Sequence, residues 1–244
     1  SYSITVTATD ANGAVATKPV TITVSSALTT TQDVASTSLT NGYLAVAFTP
    51  VTASGGSTPY TFVISPTLPI GLSLNSATGQ ITGTPTATTA ATTYTITITD
   101  ANGATSSKTT QITVNAAITF TTTSGNSPLT IGVTSGTAKS ATYSVTGGTG
   151  SKTFGVSSTP SADITINSTT GVLTVASTVA AATYTAIVTA TDTLGASTTR
   201  TVTITVNPIL TLSGSTAVTV TTGSTNKTVQ YTASGGTTAY VYSL

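Results

Sequence analysis

Five acidic residues are the side chains best suited to acid–base catalysis or metal binding in this sequence. They are scattered along 244 residues that contain no His, no Cys and no Glu: Asp10, Asp33, Asp100, Asp163 and Asp192. Without His or Cys, the usual nucleophile–base triads and thiol chemistry are excluded, and a glycosidase would need two carboxylates facing one bond. We therefore expect no catalytic residue, no cofactor and no enzymatic activity.

Asp10, Asp100 and Asp192 occupy the same position of a repeated segment and are the only candidate metal ligands. Calcium requires six to eight oxygen ligands, including several carboxylates. Each predicted domain junction carries at most one acid, which favours a turn-forming role for these residues. A weak calcium site built from carbonyls, hydroxyls and one of the three Asp carboxylates stays open as an alternative.

Two further motifs could carry chemistry. The segment Gly147–Thr153 (GGTGSKT) is similar to a phosphate-binding loop, but its Gly and Lys are not adjacent and a strand is predicted to follow it. Nucleotide binding is therefore not expected. Asn167 and Asn226 each begin an Asn-x-Ser/Thr acceptor pattern, which makes them candidate glycosylation sites, although two such patterns also arise by chance in a Thr-rich chain.

The composition favours an all-β protein with a nearly uncharged surface. The chain has 68 Thr and 30 Ser but only 5% charged residues, with a net charge of +1. Thr is β-branched and favours strands. The small net charge gives no electrostatic field that would attract nucleic acid. The sequence contains no run of 18 apolar residues, so it predicts no membrane-spanning helix.

An internal repeat of about 90 residues is the main signal. The segments Ala8–Val24, Ile98–Val114 and Ala190–Val206 align on their Asp residues, and Leu72–Ile81 aligns with Ile164–Leu173. A period of this size corresponds to one β-sandwich domain.

Strict alternation of apolar and polar residues precedes each of these Asp residues, as in Tyr2–Thr9, and indicates a strand with one buried face. Asp-Ala-Asn-Gly predicts a hairpin turn. A cation follows each Asp by eight residues, and we expect it near the Asp carboxylate on the solvent face. These cations are Lys18, Lys108 and Arg200.

The region 25–114 resembles the bacterial putative-immunoglobulin repeat of the cadherin-like sandwich group. The resemblance is carried by Leu68–Leu72 (LPIGL), Asn75–Ile81 (NSATGQI), Gly83–Pro85 (GTP) and the hairpin that ends at Val114. It implies tandem immunoglobulin-like Greek-key β-sandwiches, found in very large exported proteins, and it implies no catalytic residue. Residues 115–207 resemble the family less, since they lack the LPIGL and GTP motifs.

The repeat phase predicts four segments. Residues 1–24 form the C-terminal hairpin of an incomplete repeat, 25–114 a complete repeat, 115–207 a complete, divergent repeat, and 208–244 the N-terminal strands of an incomplete repeat. Two explanations are open: the sequence is a window on a longer, processed chain that lacks a start Met here, or neighbouring subunits lend strands to one another.

The predicted function is structural. We expect the repeat region of an extracellular filament, sheath or adhesin shaft, secreted or on the cell surface, which acts as a stiff spacer and assembles with copies of itself or with neighbouring repeats. A carbohydrate- or protein-binding module of an exported protein is the alternative, with surface glycans as its possible ligands. A glycan-binding site would usually present exposed aromatic side chains, and the chain has no Trp.

Overall fold

A computed structural model describes residues 1–121, 138–159, 162–225, 227–237 and 239–243. Within these ranges all regular secondary structure is β-strand. The chain divides into two compact units, Ser1–Val114 and Asn115–Leu244. No helix long and apolar enough to cross a membrane occurs in the described part of the chain.

The first unit begins with a two-stranded antiparallel hairpin. Strands β1 (Tyr2–Thr9) and β2 (Val15–Ile22) pair from Tyr2 opposite Ile22 to Thr9 opposite Val15. The alternation predicted this hairpin, but its apolar face is not covered: Tyr2 is 68% exposed and Val6 54% exposed.

Residues 29–115 of the chain form eight strands arranged as a four-stranded sheet and two smaller sheets. The four-stranded sheet has the order β4-β10-β9-β6, and the smaller sheets pair β3 with β5 and β7 with β8. The strands are β3 (Thr29–Gln32), β4 (Ser36–Thr40), β5 (Val51–Ser54), β6 (Thr61–Ser65), β7 (Leu72–Leu74), β8 (Ile81–Gly83), β9 (Thr89–Thr99) and β10 (Thr105–Asn115).

The core of this domain lies between the four-stranded sheet and the smaller sheets. Every second residue of β9 faces it, and Ile96 and Ile98 are fully buried there against Val51 of β5, while Ile81 of β8 packs with Tyr94. The opposite faces of the strands carry hydroxyl groups, as where Thr61, Thr99 and Thr105 lie side by side across three strands. The alternation of apolar and polar residues therefore produces a sandwich with a dry core and a hydroxyl-rich surface.

The second unit repeats this plan. A three-stranded sheet β14-β17-β18 and a three-stranded sheet β12-β16-β15 enclose a core that includes the fully buried Leu173, Val188 and Ile204. The strands are β11 (Thr119–Phe120), β12 (Lys139–Thr142), β13 (Val145–Thr146), β14 (Lys152–Thr159), β15 (Ile164–Ile166), β16 (Val172–Val175), β17 (Ala182–Asp192) and β18 (Ser197–Val206). A last pair, β19 (Thr211–Ser213) and β20 (Thr232–Ser234), follows and is largely exposed.

One turn of the first domain shows why the repeat keeps its Asn-x-x-x-Gly spacing. The side-chain oxygen of Asn75 accepts hydrogen bonds from the backbone N–H groups of Ala77 and Thr78, and Gly79 closes the turn at a φ of +71°. The ring of Phe62 lies over Gly79, where a Cβ would come within 2.6 Å of two ring atoms. Both the backbone angle and the packing therefore require glycine at this position.

The divergent domain keeps the same arrangement. Asn167 accepts hydrogen bonds from the N–H groups of Thr169 and Thr170, and Gly171 lies beneath the ring of Phe154 at a φ of +68°. The two turns are therefore equivalent in structure although the domains differ in sequence.

Candidate functional site

The candidate site is a set of hydrogen bonds at the end of each domain where the chain enters it. In the first domain Asp100 lies at the β9–β10 turn and is only 7% exposed. Its Oδ1 accepts hydrogen bonds from the backbone N–H groups of Asn102 and Ala104, at 2.9 and 2.8 Å. These bonds close the hairpin turn that the Asp-Ala-Asn-Gly sequence predicted.

The second carboxylate oxygen of Asp100 is directed at a different loop. Oδ2 accepts a hydrogen bond of 2.9 Å from the backbone N–H of Ser57, which follows Gly55 and Gly56. The N–H of Gly56 in turn donates to the carbonyl oxygen of Ser26, at 2.8 Å. The carboxylate is thus linked through the Gly-Gly loop to the residues that lead into the domain.

The two glycines allow this close approach. Gly55 and Gly56 adopt φ angles of +73° and +64°, which other residues adopt with difficulty. A Cβ on Gly55 would lie 2.2 Å from the carbonyl oxygen of Ala27, and one on Gly56 would lie 2.7 Å from Oδ2 of Asp100. Any side chain at either position would therefore separate the loop from its partners.

A linker side chain completes the arrangement. Ser25 hydrogen-bonds Ser57 through their hydroxyls at 3.2 Å, and the side-chain amide of Asn102 donates to the same Ser57 hydroxyl at 2.7 Å. We call this combination of linker residue, Gly-Gly loop and Asp turn the junction clamp. In the first domain it consists of residues 25–28, 55–57 and 100–104.

The second domain contains the same junction clamp in residues 115–117, 147–149 and 192–196. Oδ2 of Asp192 accepts the N–H of Thr149 at 2.8 Å, Gly148 N–H donates to Ala116 at 2.7 Å, and the Asn115 side-chain amide donates to the Thr149 hydroxyl at 3.0 Å. Asp192 is 5% exposed.

The linker and loop parts of the clamp recur a third time, in residues 207–237. Gly236 N–H donates to the carbonyl oxygen of Pro208 at 2.6 Å, and the Asn207 side-chain amide donates to the Thr237 hydroxyl at 3.3 Å. In the hairpin of residues 1–24, Asp10 closes its own turn through the N–H groups of Asn12 and Ala14 and is exposed.

Backbone hydrogen bonds set the electrostatics of the first clamp. The N–H of Ser57 has the largest effect in holding the pKa of Asp100 below its ordinary value of 3.8; the N–H groups of Ala104 and Asn102 act in the same direction, and burial partly opposes them. The carboxylate is therefore ionised at neutral pH, and its charge is compensated by backbone dipoles.

This geometry supports the turn-forming role of the three candidate metal ligands. A calcium ion at Asp100 would have to displace N–H donors that already occupy both carboxylate oxygens. No group of three or more acidic, His or Cys residues that could hold a metal ion occurs in the described ranges.

The expected ion pairs with the cations eight residues later are wrong. The strand register places Lys108 opposite Ile96, Arg200 opposite Val188 and Lys18 opposite Val6. Each cation is thus paired with the residue four positions before its Asp. Four residues of a strand correspond to about 13 Å along the strand axis. At Asp10 and Asp100, backbone N–H groups donate to the carboxylate for which we expected a cation.

The remaining sequence motifs fall on loops and turns. Gly147 and Gly148 of the GGTGSKT segment belong to the junction clamp, and strand β14 starts at Lys152. Asn167 is exposed in the turn described above, where an enzyme could reach its side-chain amide. Asn226 lies outside the described residues.

The partner loop of each Asp was missed by the sequence reasoning. Ser57 and Asp100 are 43 residues apart, as are Thr149 and Asp192. A signal existed, because a Gly-Gly pair recurs at 55–56, 147–148 and 235–236, and the first two pairs stand at the same distance before Asp100 and Asp192.

The comparisons with known proteins agree with this fold. Residues 27–115 match the family model described as "Putative Ig domain", so the resemblance to putative-immunoglobulin repeats is confirmed. The fold is an all-β arrangement of tandem immunoglobulin-like sandwiches, as predicted. The amino-acid sequence has no significant match among curated proteins.

The similar solved structures are multidomain fragments. The I67-I69 fragment of the titin I-band is 15% identical with a TM-score of 0.46, over 73% of this chain and 65% of that chain. Domains 3–5 of Drosophila OTK are 15% identical with a TM-score of 0.45, over 80% and 67%. Human protocadherin-24 EC1-2 is 16% identical with a TM-score of 0.34, over 75% and 98%. This chain thus spans about two thirds of the titin and OTK fragments.

Proposed function

We propose that this chain is a structural repeat region in which short, hydrogen-bonded linkers make consecutive immunoglobulin-like domains into a stiff spacer. The proposed domains are 25–114 and 115–207, flanked by the partial repeats 1–24 and 208–244. We further propose that the spacer is exported to the cell surface or secreted as part of a filament, sheath or adhesin shaft, and that it has no catalytic activity.

One observation carries this proposal: the linker residues are already bonded to the domain that they lead into. Strand β18 ends at Val206, the Asn207 side chain bonds Thr237, and the carbonyl of Pro208 accepts the N–H of Gly236. Few rotatable residues therefore stay free at this junction to act as a hinge. The fixed φ of Pro208 restricts the linker further.

The surface chemistry agrees with a hydrated spacer whose outer faces carry mainly hydroxyl groups. Rows of Thr and Ser hydroxyls cover the outer faces of the sheets, as at Thr153, Thr191 and Ser197, where three strands lie side by side. Hydroxyls hydrate a surface that has few charges, and they offer acceptors for sugars. Assembly with further copies through these faces is part of the proposal.

Backbone dynamics test the stiffness of the junction directly. In ¹⁵N relaxation experiments on the whole chain, the amides of Asn207, Ile209 and Leu210 should have order parameters of about 0.85, like those of strand β18. A variant with four Gly and Ser residues inserted after Val206 provides a flexible control. Wild-type order parameters below about 0.6 would contradict the proposal.

The binding-module alternative depends on exposed aromatic residues, and the hydroxyls of Tyr60, Tyr231 and Tyr240 each donate to a backbone carbonyl of their own unit. The hydroxyl of Tyr60 donates to the Gly55 carbonyl, and that of Tyr240 donates to the Gly235 carbonyl. Both Tyr residues thereby support the loops of the junction clamp. A glycan array probed with the whole chain separates the two functions, since saturable binding lost in a Tyr43→Ala or Tyr231→Ala variant would favour a binding module.

A further inference from the structure

We propose that the Asp100 carboxylate holds the linker at residues 25–28 in place by acting through the Gly-Gly loop, and that removing its charge frees the linker while the sandwich core stays folded. This inference rests on the proposed spacer function and names the residue that controls it. Asp100 is a positioning residue in this scheme, because its carboxylate bonds the loop and the loop bonds the linker.

The path from carboxylate to linker is continuous. Oδ2 of Asp100 fixes the N–H of Ser57; Ser57 holds Ser25 through its hydroxyl, and the neighbouring Gly56 N–H holds the carbonyl of Ser26. Gly55 and Gly56 carry no side chains that could anchor the loop by packing. The loop position therefore depends on hydrogen bonds, which besides those of this path include the bond from the Ala101 N–H to the Ser57 carbonyl at 2.8 Å and the bond from the Tyr60 hydroxyl to the Gly55 carbonyl.

A carboxylate is needed because it accepts on two sides at once. Oδ1 faces the turn N–H groups of Asn102 and Ala104, and Oδ2 faces the Ser57 N–H. A carboxamide has one acceptor oxygen, and its NH₂ group donates only. In an Asp100→Asn variant the single side-chain oxygen can accept from the hairpin turn or from the loop. On the other side, the new NH₂ group faces backbone N–H groups that also donate.

The three segments that form the clamp add no titratable side chain besides Asp100. The turn 101–104, the loop 55–57 and the linker 25–28 contain none, and the nearest in sequence is Tyr60, whose hydroxyl donates to Gly55. In the second domain, Lys152 lies beside the corresponding loop, with its Cε 3.0 Å from the Cβ position of Gly148. The first domain therefore provides the simpler test.

The sign of the pH effect follows from the depressed pKa. Since the folded domain favours the ionised form, the hydrogen bonds are complete above the ordinary carboxyl pKa of 3.8 and are lost as the pH falls through the lower folded value. The linker should be held at neutral pH and released in acid.

The experiment measures amide hydrogen exchange and ¹⁵N relaxation on the whole chain in wild type and Asp100→Asn. We expect the Ser57 and Gly56 amides to exchange at least about tenfold faster in the variant, which corresponds to the loss of one charged hydrogen bond. Order parameters at residues 25–28 should fall, while the core amides of Ile96 and Ile98 stay protected. Asp33→Asn, which removes an exposed charge from the same domain, should change none of these values.

An acid titration of the wild type provides the second measurement. The Ser57 amide shift and the order of residues 25–28 should change together below pH 4, and the Asp100→Asn profile should be flat. If the variant keeps the linker ordered, or if loop and core lose protection together, the inference is wrong and the spacer function is untouched. If residues 25–28 are already mobile in the wild type at neutral pH, the stiff spacer itself fails.

Discussion

Replacing Gly79 by Ala tests whether the turn beneath Phe62 limits the stability of the first domain. Gly79 has a φ of +71°, and an added Cβ would lie 2.6 Å from both Cδ1 and Cε1 of Phe62, a ring that is only 6% exposed. The left-handed backbone costs an L-residue about 1–2 kcal/mol. Displacing a packed ring adds about 1–3 kcal/mol, and the stiffer unfolded chain returns about 0.4–1 kcal/mol. We expect a net loss of about 1–4.6 kcal/mol in the free energy of unfolding.

Gly103→Ala is the matched control. Its φ is +84°, but no atom lies within 4 Å of the Cβ position, so only the backbone contribution remains. We expect a loss of about 0–1.6 kcal/mol. Both variants are compared by urea unfolding of the whole chain, followed through the amide signals of β6 and β9 so that the first domain is observed separately.

A double-mutant cycle separates packing from backbone strain. Phe62→Val removes the ring atoms that the new methyl group would meet, so Gly79→Ala should cost about as little in that background as Gly103→Ala does alone. If the cost of Gly79→Ala is the same with and without the ring, the packing argument is refuted.

Three other perturbations test separate parts of the structure. Ile96→Ala should lower the free energy of unfolding by about 2–5 kcal/mol because Ile96 is fully buried, whereas Val6→Ala, at the equivalent position of the exposed hairpin, should change it by less than about 0.5 kcal/mol; equal effects in urea titrations would contradict the core assignment. Acidification below the ordinary pKa of 3.8 should lower the melting temperature of the first domain more in wild type than in Asp100→Asn, because the variant has no carboxylate to protonate; parallel calorimetric profiles would count against this. Asn167→Gln should remove one glycan mass from the tryptic peptide that contains it after expression in an N-glycosylating host, and an unmodified wild-type peptide would disprove this site.

Local patterns predicted the strands and the turns well. The alternation around Tyr94–Ile98 correctly indicated which face of β9 is buried, and Asp-Ala-Asn-Gly correctly indicated the β9–β10 hairpin. These features depend on residues that are close in the sequence, where periodicity and turn chemistry act directly.

Features that depend on register or on distant segments were predicted less well. Thr105 of β10 pairs with Thr99 of β9 at the turn, and each following residue of β10 through Lys108 pairs with the residue one position earlier in β9. Lys108 is therefore carried away from Asp100 and lies opposite Ile96. The Ser57 loop, 43 residues earlier, approaches Asp100 only because the sandwich folds the two segments together.

The carboxylates of Asp10, Asp100 and Asp192 lie where backbone N–H groups donate to them. An exposed ion pair contributes little, typically less than about 1 kcal/mol, and is weakened by salt. A carboxylate that accepts several backbone N–H groups makes stronger, charge-assisted hydrogen bonds. Asp100 and Asp192 each join two separate loops in this way. In the proposed arrangement each of these carboxylates helps to fix the hairpin turn, the Gly-Gly loop and, through that loop, the linker, while the outer strand faces consist largely of neutral hydroxyls.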